Sequence, residues 1–350
     1  MTSRRVRWLA GLAGAAALSA AAHTALWLWA TRTLESQVAA TLAAGPLPGW
    51  QAAGGVLRRD GWPLRATVHV PDPVLQAPLG GSADAQGIRW TAEHLSVSVS
   101  LLRPRVVVLA VIGRQGLQLG LAPPIPVNAQ TMRAELPLQP GVPARSIAIE
   151  VADLQADLPE GRIGMRRLDV WGQIRPAAQQ GEPALAVNLL AQGIALPPVR
   201  NWPLGPAIAR LAADAVLTGP VPLAADLLQR AEGWRDGGGV LELHRLELEW
   251  GEARLSGSAT LALDAQVQPM GAATARLTGH AAALDALQSA GVVTPRGAVS
   301  AKAVLGLMSR PALQDGRPTV EVPFSLQDRT LALGRIPLVR LPELVWRSPH

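Results

Sequence analysis

Most of the chain alternates apolar and polar positions with a period of two, the pattern of β-strands with one covered face. Leu95, Val97 and Val99 alternate with serines, and the same pattern recurs at 147–158, 241–250, 255–263 and 320–327, with a hairpin partner at 331–333. The alternation changes phase near Asp153 and again near His244, which predicts a β-bulge at each place. The pattern therefore predicts a mostly β (α+β) fold.

Four segments have helical spacing instead. In the segment 199–239, Pro206 is expected to open a helix that carries Ile208, Leu211, Ala212 and Ala215. A second helix is expected after Pro222, with Leu223, Leu227, Leu228, Ala231 and Trp234 on one side, and Gly237-Gly238-Gly239 at its end. Two further helices are predicted at 281–290, before Gly291, and at 295–309, before Pro311.

The N-terminal stretch from Trp8 to Ala30 contains no Asp, Glu, Lys or Arg. As a helix it would be about 34 Å long, enough to cross a bilayer core of about 30 Å. Trp8, Trp27 and Trp29 lie near its ends, where indole rings favour the membrane interface. We therefore predict a single transmembrane helix.

A cleaved signal peptide is the alternative, because Ser19-Ala20-Ala21-Ala22 could serve as a cleavage site. However, apolar residues continue past that site, and Leu34, Val38 and Leu42 extend a helical stripe beyond the stretch. We therefore favour an uncleaved anchor. Arginines are concentrated before the stretch, at 4, 5 and 7, which predicts a cytoplasmic N-terminus with the bulk of the chain across the membrane.

These patterns divide the chain into six segments. They are a cytoplasmic tail (1–7), a transmembrane anchor (8–30), a helical extension (31–44), an N-terminal β region (50–198), a helical segment (199–239) and a C-terminal β region with short helices (240–350).

Composition narrows the chemistry of the chain. Cysteine is absent, which excludes disulfides, thiol catalysis and thiolate metal sites. The net charge is +6, but arginines of the short N-terminal tail supply half of it. With no Tyr and a single Phe, the chain also lacks the aromatic platforms on which bases stack, so we expect no nucleic-acid partner.

Candidate catalytic residues are few. The six histidines do not occur at metal-ligand spacings, and the chain has no nucleophile elbow, Walker A loop or dinucleotide fingerprint. His244, Glu247 and Glu249 could form an acid–base group, but they also fit the exposed side of a strand opposite Leu246 and Leu248. We expect no catalysis, no metal and no cofactor.

One local motif lies between two predicted strands: RRDGWPL at 58–64. Asp60-Gly61 is a turn signal, so we expect a hairpin whose Trp62 plugs one end of the sheet. The alternative is that Arg59 and Trp62 contact a lipid head group. We take Arg59, Gly61, Trp62 and Pro63 together as a sheet-end motif.

The order of these features resembles the bacterial family called domain of unknown function 2125. The features are a single anchor, a trailing helix, a break at 45–49 and GWPL at 61–64, followed by GAATARLTG at 271–279, PFSLQD at 323–328, LGRIPL at 333–338 and LP at 341–342. The ending also resembles, more distantly, AsmA-like envelope proteins. In this pattern Gly is expected directly after Asp328, where the chain has Arg329.

The resemblance implies long, curved antiparallel sheets with an apolar interior, anchored at the inner membrane and facing the periplasm. It implies a role in envelope maintenance, with lipid held or passed along an apolar groove. A structural adaptor that binds another envelope protein through a sheet edge is the alternative, and a membrane-anchored hydrolase is the least favoured. The residues expected to line the groove are Val97, Val99, Leu255, Leu261, Leu263, Val320, Val322, Phe324 and Leu326.

Overall fold

The computed structural model describes residues 2–46, 49–77, 87–138, 145–198, 202–222, 227–291, 294–308, 310–311, 318–333 and 336–346. The chain begins with one continuous helix, α1 (Thr2–Ala44), so the predicted anchor and its extension form a single element. From Gly11 onward α1 is long and apolar enough to span a membrane. It ends where Gly45 adopts a positive φ of 80°.

The N-terminal β region contains strands of very different length. They are β1 (Gln51–Ala53), β2 (Arg58–Asp60), β3 (Arg65–Pro71), β4 (Val74–Ala77), β5 (Ile88–Ser100), β6 (Arg103–Leu119), β7 (Ile125–Asn128), β8 (Thr131–Pro137), β9 (Ser146–Leu158), β10 (Gly161–Ile174) and β11 (Pro183–Ala195).

The second half of the chain combines strands with three helices. They are β12 (Ala207–Thr218), α2 (Leu227–Asp236), β13 (Leu241–Trp250), β14 (Ala253–Leu263), β15 (Pro269–Thr278), α3 (His280–Ser289), α4 (Pro295–Met308), β16 (Arg310–Pro311), β17 (Pro318–Gln327), β18 (Thr330–Leu333) and β19 (Ile336–Arg340).

All of these strands belong to one antiparallel sheet whose order largely follows the chain. At one end, β3 and β4 pair with successive parts of β5, while β2 and β1 pair with their outer sides. From β5 the sheet continues through β6, the pair β7 and β8, and then β9 to β15. After α3 and α4 the chain returns as β17 beside β15, and β18 and β19 follow. The prediction of a mostly β, antiparallel fold is confirmed.

The two predicted phase changes have different structures. Between β12 and β13, and between β13 and β14, the register shifts next to His244 and Arg245, as predicted. At Asp153 the register between β9 and β10 is the same on both sides. That prediction of a bulge is wrong: Asp153 instead adopts a left-handed φ of 49°, which reorients the strand without adding a residue.

The helix predicted from Pro206 is also wrong. Residues 207–218 form β12, which pairs along its length with both β11 and β13. The segment is rich in alanine and carries apolar residues at both helical and strand spacings. Pairing with long strands on both sides decides the outcome, because helix propensity is weaker than tertiary context.

The other predicted helices are confirmed where the structure describes them. α2 ends directly before Gly237, and α3 is followed by Gly291 at φ 72°. α4 begins at Pro295, as expected for proline in a first turn. The predicted helical residues Leu223 and Ser309, and residues 199–201 of the predicted helical segment, lie outside the described residues.

Candidate functional site

One face of the sheet is apolar from β3 to β17. Residues directly opposite each other in an antiparallel pair have side chains on the same face, so the register traces rows across the strands. The middle row consists of Val68, Val97, Leu109, Ala134, Ile149, Val170, Leu189, Ala213, Leu246, Gly257, Ala275 and Val322. At about 4.8 Å per strand, this row is roughly 50 Å long.

The rows on either side are apolar as well. One consists of Val70, Leu95, Val111, Met132, Val151, Leu168, Ala191, Leu211, Leu248, Leu255, Leu277 and Val320. The other runs through Ala66, Val99, Val107 and Leu136, and then through Ile147, Gly172, Val187, Ala215, Leu243, Ala259, Ala273 and Phe324. We call these three rows the apolar face.

The opposite side of the sheet, the polar face, carries ion pairs. Arg167 contacts Asp169 at 2.7 Å, and Arg276 on β15 contacts Glu321 on β17 at 2.8 Å. Asp214 accepts hydrogen bonds from Asn188 at 2.6 Å and from Arg245 at 2.7 Å, and these two partners lower the pKa of its carboxyl group. Exposed pairs of this kind contribute little stability. Their charged groups favour hydration, so this face of the sheet is suited to contact with water.

Helices pack on the apolar face at its two ends. At the first end, Ala66, Val68 and Val70 of β3 are fully buried while the residues between them are not, and α1 is the helix in contact with this strand. At the other end, Val320 and Val322 are buried beside α4, whose Ala298 is also buried, while Glu321 points to the polar face and is exposed. Both contacts are therefore on the same side of the sheet.

Between these ends the apolar face is only partly covered. Leu109, Ile149, Val170, Leu189 and Leu246 are half-buried. Within the described ranges, no helix makes an extensive contact with strands β6 to β12. The middle of the apolar face, from β6 to β12, is thus a long apolar strip. The sheet itself partly shields its side chains, and no second layer built from the described helices covers it.

The residues predicted to line a groove all lie on this side of the sheet, in two groups. Val97 and Val99 are on β5, and the other seven are on β14 and β17. Val320 and Val322 are fully buried under α4 and Val97 of β5 is buried as well, so the prediction that they line an open groove is not supported at these three positions. Leu255, Leu261, Leu263, Phe324 and Leu326 remain half-buried.

Sequence reasoning missed the central part of the apolar face. Its middle strands contribute Ala134 and Ala213, whose small side chains give a weak hydrophobic signal. The strict alternation in 147–151 and 168–172 could have identified Ile149 and Val170 as facing the same side. Their alignment with β5 and β14 becomes evident only from the register.

The sheet-end motif forms the hairpin between β2 and β3. Gly61, with φ 97°, Trp62 and Pro63 make the turn, and the Trp62–Pro63 peptide bond is cis. Arg59 pairs with Glu35 of α1. The expectation that Trp62 plugs the end of the sheet is wrong, because 60% of this residue is exposed.

The described histidines and the residues of the candidate acid–base group do not form a common site. Of the candidate acid–base group, His244 contacts Glu242 at 2.9 Å, whereas Glu247 pairs with Arg210 and Arg245. His23 of α1 contacts the backbone carbonyl of Pro63 at 2.7 Å, and His69 lies 3.8 Å from Asp60. Among the residues that were described, no group of three or more His, Asp or Glu could hold a metal ion.

The comparisons with known proteins give one match. No curated protein matches the chain, and no solved structure does either. The sequence model of a family described as "Uncharacterized protein conserved in bacteria (DUF2125)" matches residues 27–342, which include the end of α1 and nearly the whole sheet. Since this match covers most of its length, the chain belongs to the bacterial DUF2125 family.

Proposed function

We propose that this protein is a non-catalytic, inner-membrane-anchored periplasmic protein of envelope maintenance that binds lipid along its apolar face. The observation that carries the proposal is the continuity of the three apolar rows from β3 to β17. A water-soluble domain rarely exposes so extended an apolar surface unless something binds there.

The dimensions and chemistry of the strip favour acyl chains. From β6 to β12 it is about 24 Å long, and its three rows span five residues along each strand, about 13 Å at roughly 3.3 Å per residue, which fits an elongated ligand. Its lining consists of aliphatic side chains together with Met132 and Gly172. Such a lining offers no polar group to orient a polar substrate, but it suits a hydrocarbon chain.

The N-terminal helix supports the proposed location of the protein at the inner membrane. From Gly11 onward α1 is long and apolar enough to span a membrane, and arginines precede its uncharged stretch. By the positive-inside rule, this distribution favours a cytoplasmic N-terminus and a sheet on the other side of the membrane.

The proposal is tested by two substitutions at adjacent positions of β11. Leu189 points to the apolar face and Leu190 to the polar face, where its neighbours are Asp169 and Ala212. Both residues are half-buried. We expect Leu189→Asn to reduce the lipid that co-purifies with the full chain in mild detergent, as seen by native mass spectrometry, because an amide on the strip is desolvated by a bound acyl chain.

Leu190→Asn is the matched control and should leave the co-purified lipid unchanged. Thermal denaturation of both variants identifies any general loss of folding. Equal lipid content in the two folded variants and the parent chain, or no lipid in any of them, would contradict lipid binding on the apolar face.

A structural adaptor is the second candidate, and the outer edge of β19 favours it. β19 pairs with β18 on one side, and no other described strand pairs with it. If the protein is such an adaptor, Val339→Pro should abolish capture of the partner protein while leaving the co-purified lipid intact.

A further inference from the structure

The corner of the sheet next to α1 carries an exposed apolar cluster. Trp62 and Leu64 lie in the β2–β3 turn and Leu102 in the β5–β6 turn, with exposed fractions of 60%, 56% and 79%. The two turns are joined, since the backbone N–H of Leu101 donates to the carbonyl of Leu64 at 3.0 Å. We call residues 61–65 and 101–105 the tip.

Two hydrogen bonds attach the tip to α1. His23 Nε2 lies 2.7 Å from the carbonyl oxygen of Pro63, and Trp27 Nε1 donates to the carbonyl of Arg65 at 2.7 Å. The ion pair between Glu35 and Arg59 adds a third contact farther along the helix. The level of the tip along α1 is therefore set by residues 23 to 27.

This level lies inside the uncharged part of α1. The uncharged stretch ends at Ala30, so at 1.5 Å per residue the contacts at His23 and Trp27 lie about 10 and 5 Å before its end. When this stretch crosses a bilayer, the last 5 to 10 Å coincide with the boundary between acyl chains and head groups. The tip must then lie at the same depth.

The composition of the tip fits that boundary. It contains one Trp, three Leu and two Pro, together with Arg65, Arg103 and Arg105, all three of which are exposed, and it has no acidic residue. Indole rings favour the interface, aliphatic side chains reach the upper acyl chains, and guanidinium groups bind lipid phosphates.

From this geometry we propose that the tip inserts into the outer leaflet of the membrane that holds α1. The ligand of this surface is the phospholipid interface itself, with Trp62, Leu64 and Leu102 in the acyl region and Arg65 and Arg103 at the phosphates. The inference rests on the membrane placement of α1 in the proposed function, and it deepens that proposal because the first strands of the apolar face then begin at the bilayer.

The absence of cysteine in the natural chain allows a direct test. Three single-cysteine variants of the full chain, Leu102→Cys, Leu121→Cys and Leu18→Cys, are labelled with a small fluorophore. They are reconstituted into vesicles of phosphatidylethanolamine and phosphatidylglycerol that contain lipids with a nitroxide quencher near the glycerol or near the methyl end. All three positions are exposed leucines, so the labels should not disturb folding.

Leu121 is the matched control for Leu102. It lies in the turn beyond the opposite end of β6, is 88% exposed, and is about 55 Å away for a strand of this length. Leu18, in the middle of the uncharged stretch, reports the membrane placement of α1 independently.

We expect the label at Leu102→Cys to be quenched several-fold more strongly than that at Leu121→Cys, and more by the quencher near the glycerol. The label at Leu18→Cys should be quenched more by the quencher near the methyl end. Quenching at Leu18→Cys with none at Leu102→Cys would overturn the tip inference but leave the anchor in place. Absence of quenching at Leu18→Cys would overturn both. Equal quenching at Leu102→Cys and Leu121→Cys would overturn the tip inference, because membrane contact would not be specific to the tip.

Discussion

Arg329 occupies a turn position at which most side chains are unfavourable. Asp328 and Arg329 have φ values of 48° and 62°, so both central residues of the β17–β18 hairpin are left-handed, as a type I′ turn requires. Glycine adopts this conformation without a steric cost. The side chain of Arg329 contacts Glu343 at 3.2 Å, an exposed pair that compensates little of this cost.

We therefore expect Arg329→Gly to stabilise the hairpin by about 0.5–1 kcal/mol, because it removes the left-handed strain of a non-glycine residue. Hydrogen exchange of the β18 amides measures this local stability. Glu343→Gln removes the ion pair without changing the turn, and it should alter the exchange much less. Faster exchange than in the parent chain in both Arg329→Gly and Glu343→Gln would mean that the ion pair matters more than the turn.

α1 and β3 form a fully buried contact whose contribution can be measured. Val68 has no exposed surface, whereas Val56, in the loop before β2, is 82% exposed. The substitution Val68→Ala should destabilise the protein by roughly 2 kcal/mol, the sum of lost burial and a small cavity. Val56→Ala is the control and should change the melting temperature very little. Similar effects of the two substitutions would contradict the packing of α1 on the apolar face.

Elements whose apolar residues follow one clear period could be predicted from the sequence. A segment that fits both the helical and the strand period could not. β5, β14 and β17 alternate strictly and were identified, as were α3 and α4. β12 was mistaken for a helix because alanine fits both periods and its neighbours β11 and β13 decide its conformation. The apolar face could be predicted only at its two ends, since the alignment of separate strands depends on hydrogen-bond register, which a sequence pattern does not contain.

The whole molecule has an unusually large surface. Its accessible surface is 22348 Å², whereas a compact monomer of 36.7 kDa would have about 13,500 Å². An isolated helix as long as α1 accounts for about 3,000 Å² of this difference. The described sheet contributes to the remainder, because it is a single layer of strands without a continuous second layer on either face.

The proposed topology can be tested on the intact chain. A reporter that is active only outside the cytoplasm should be active when it is fused after His350. In inner-membrane vesicles with the cytoplasmic side out, added protease should leave residues 50–350 intact, because the arginines before the uncharged stretch of α1 favour a cytoplasmic N-terminus. Degradation of this region in intact vesicles would contradict the orientation.

The proposed binding of lipid to the apolar face can be tested by photocrosslinking in living cells. A photoreactive amino acid at Leu189 should crosslink to phospholipid, because its side chain lies in the open middle of the apolar strip. The same residue at Leu190 has the same backbone surroundings but points to the polar face, so it should give no lipid adduct. Lipid adducts at Leu189 alone are the predicted result, and their absence there, or equal adducts at both positions, would contradict lipid binding along the apolar face.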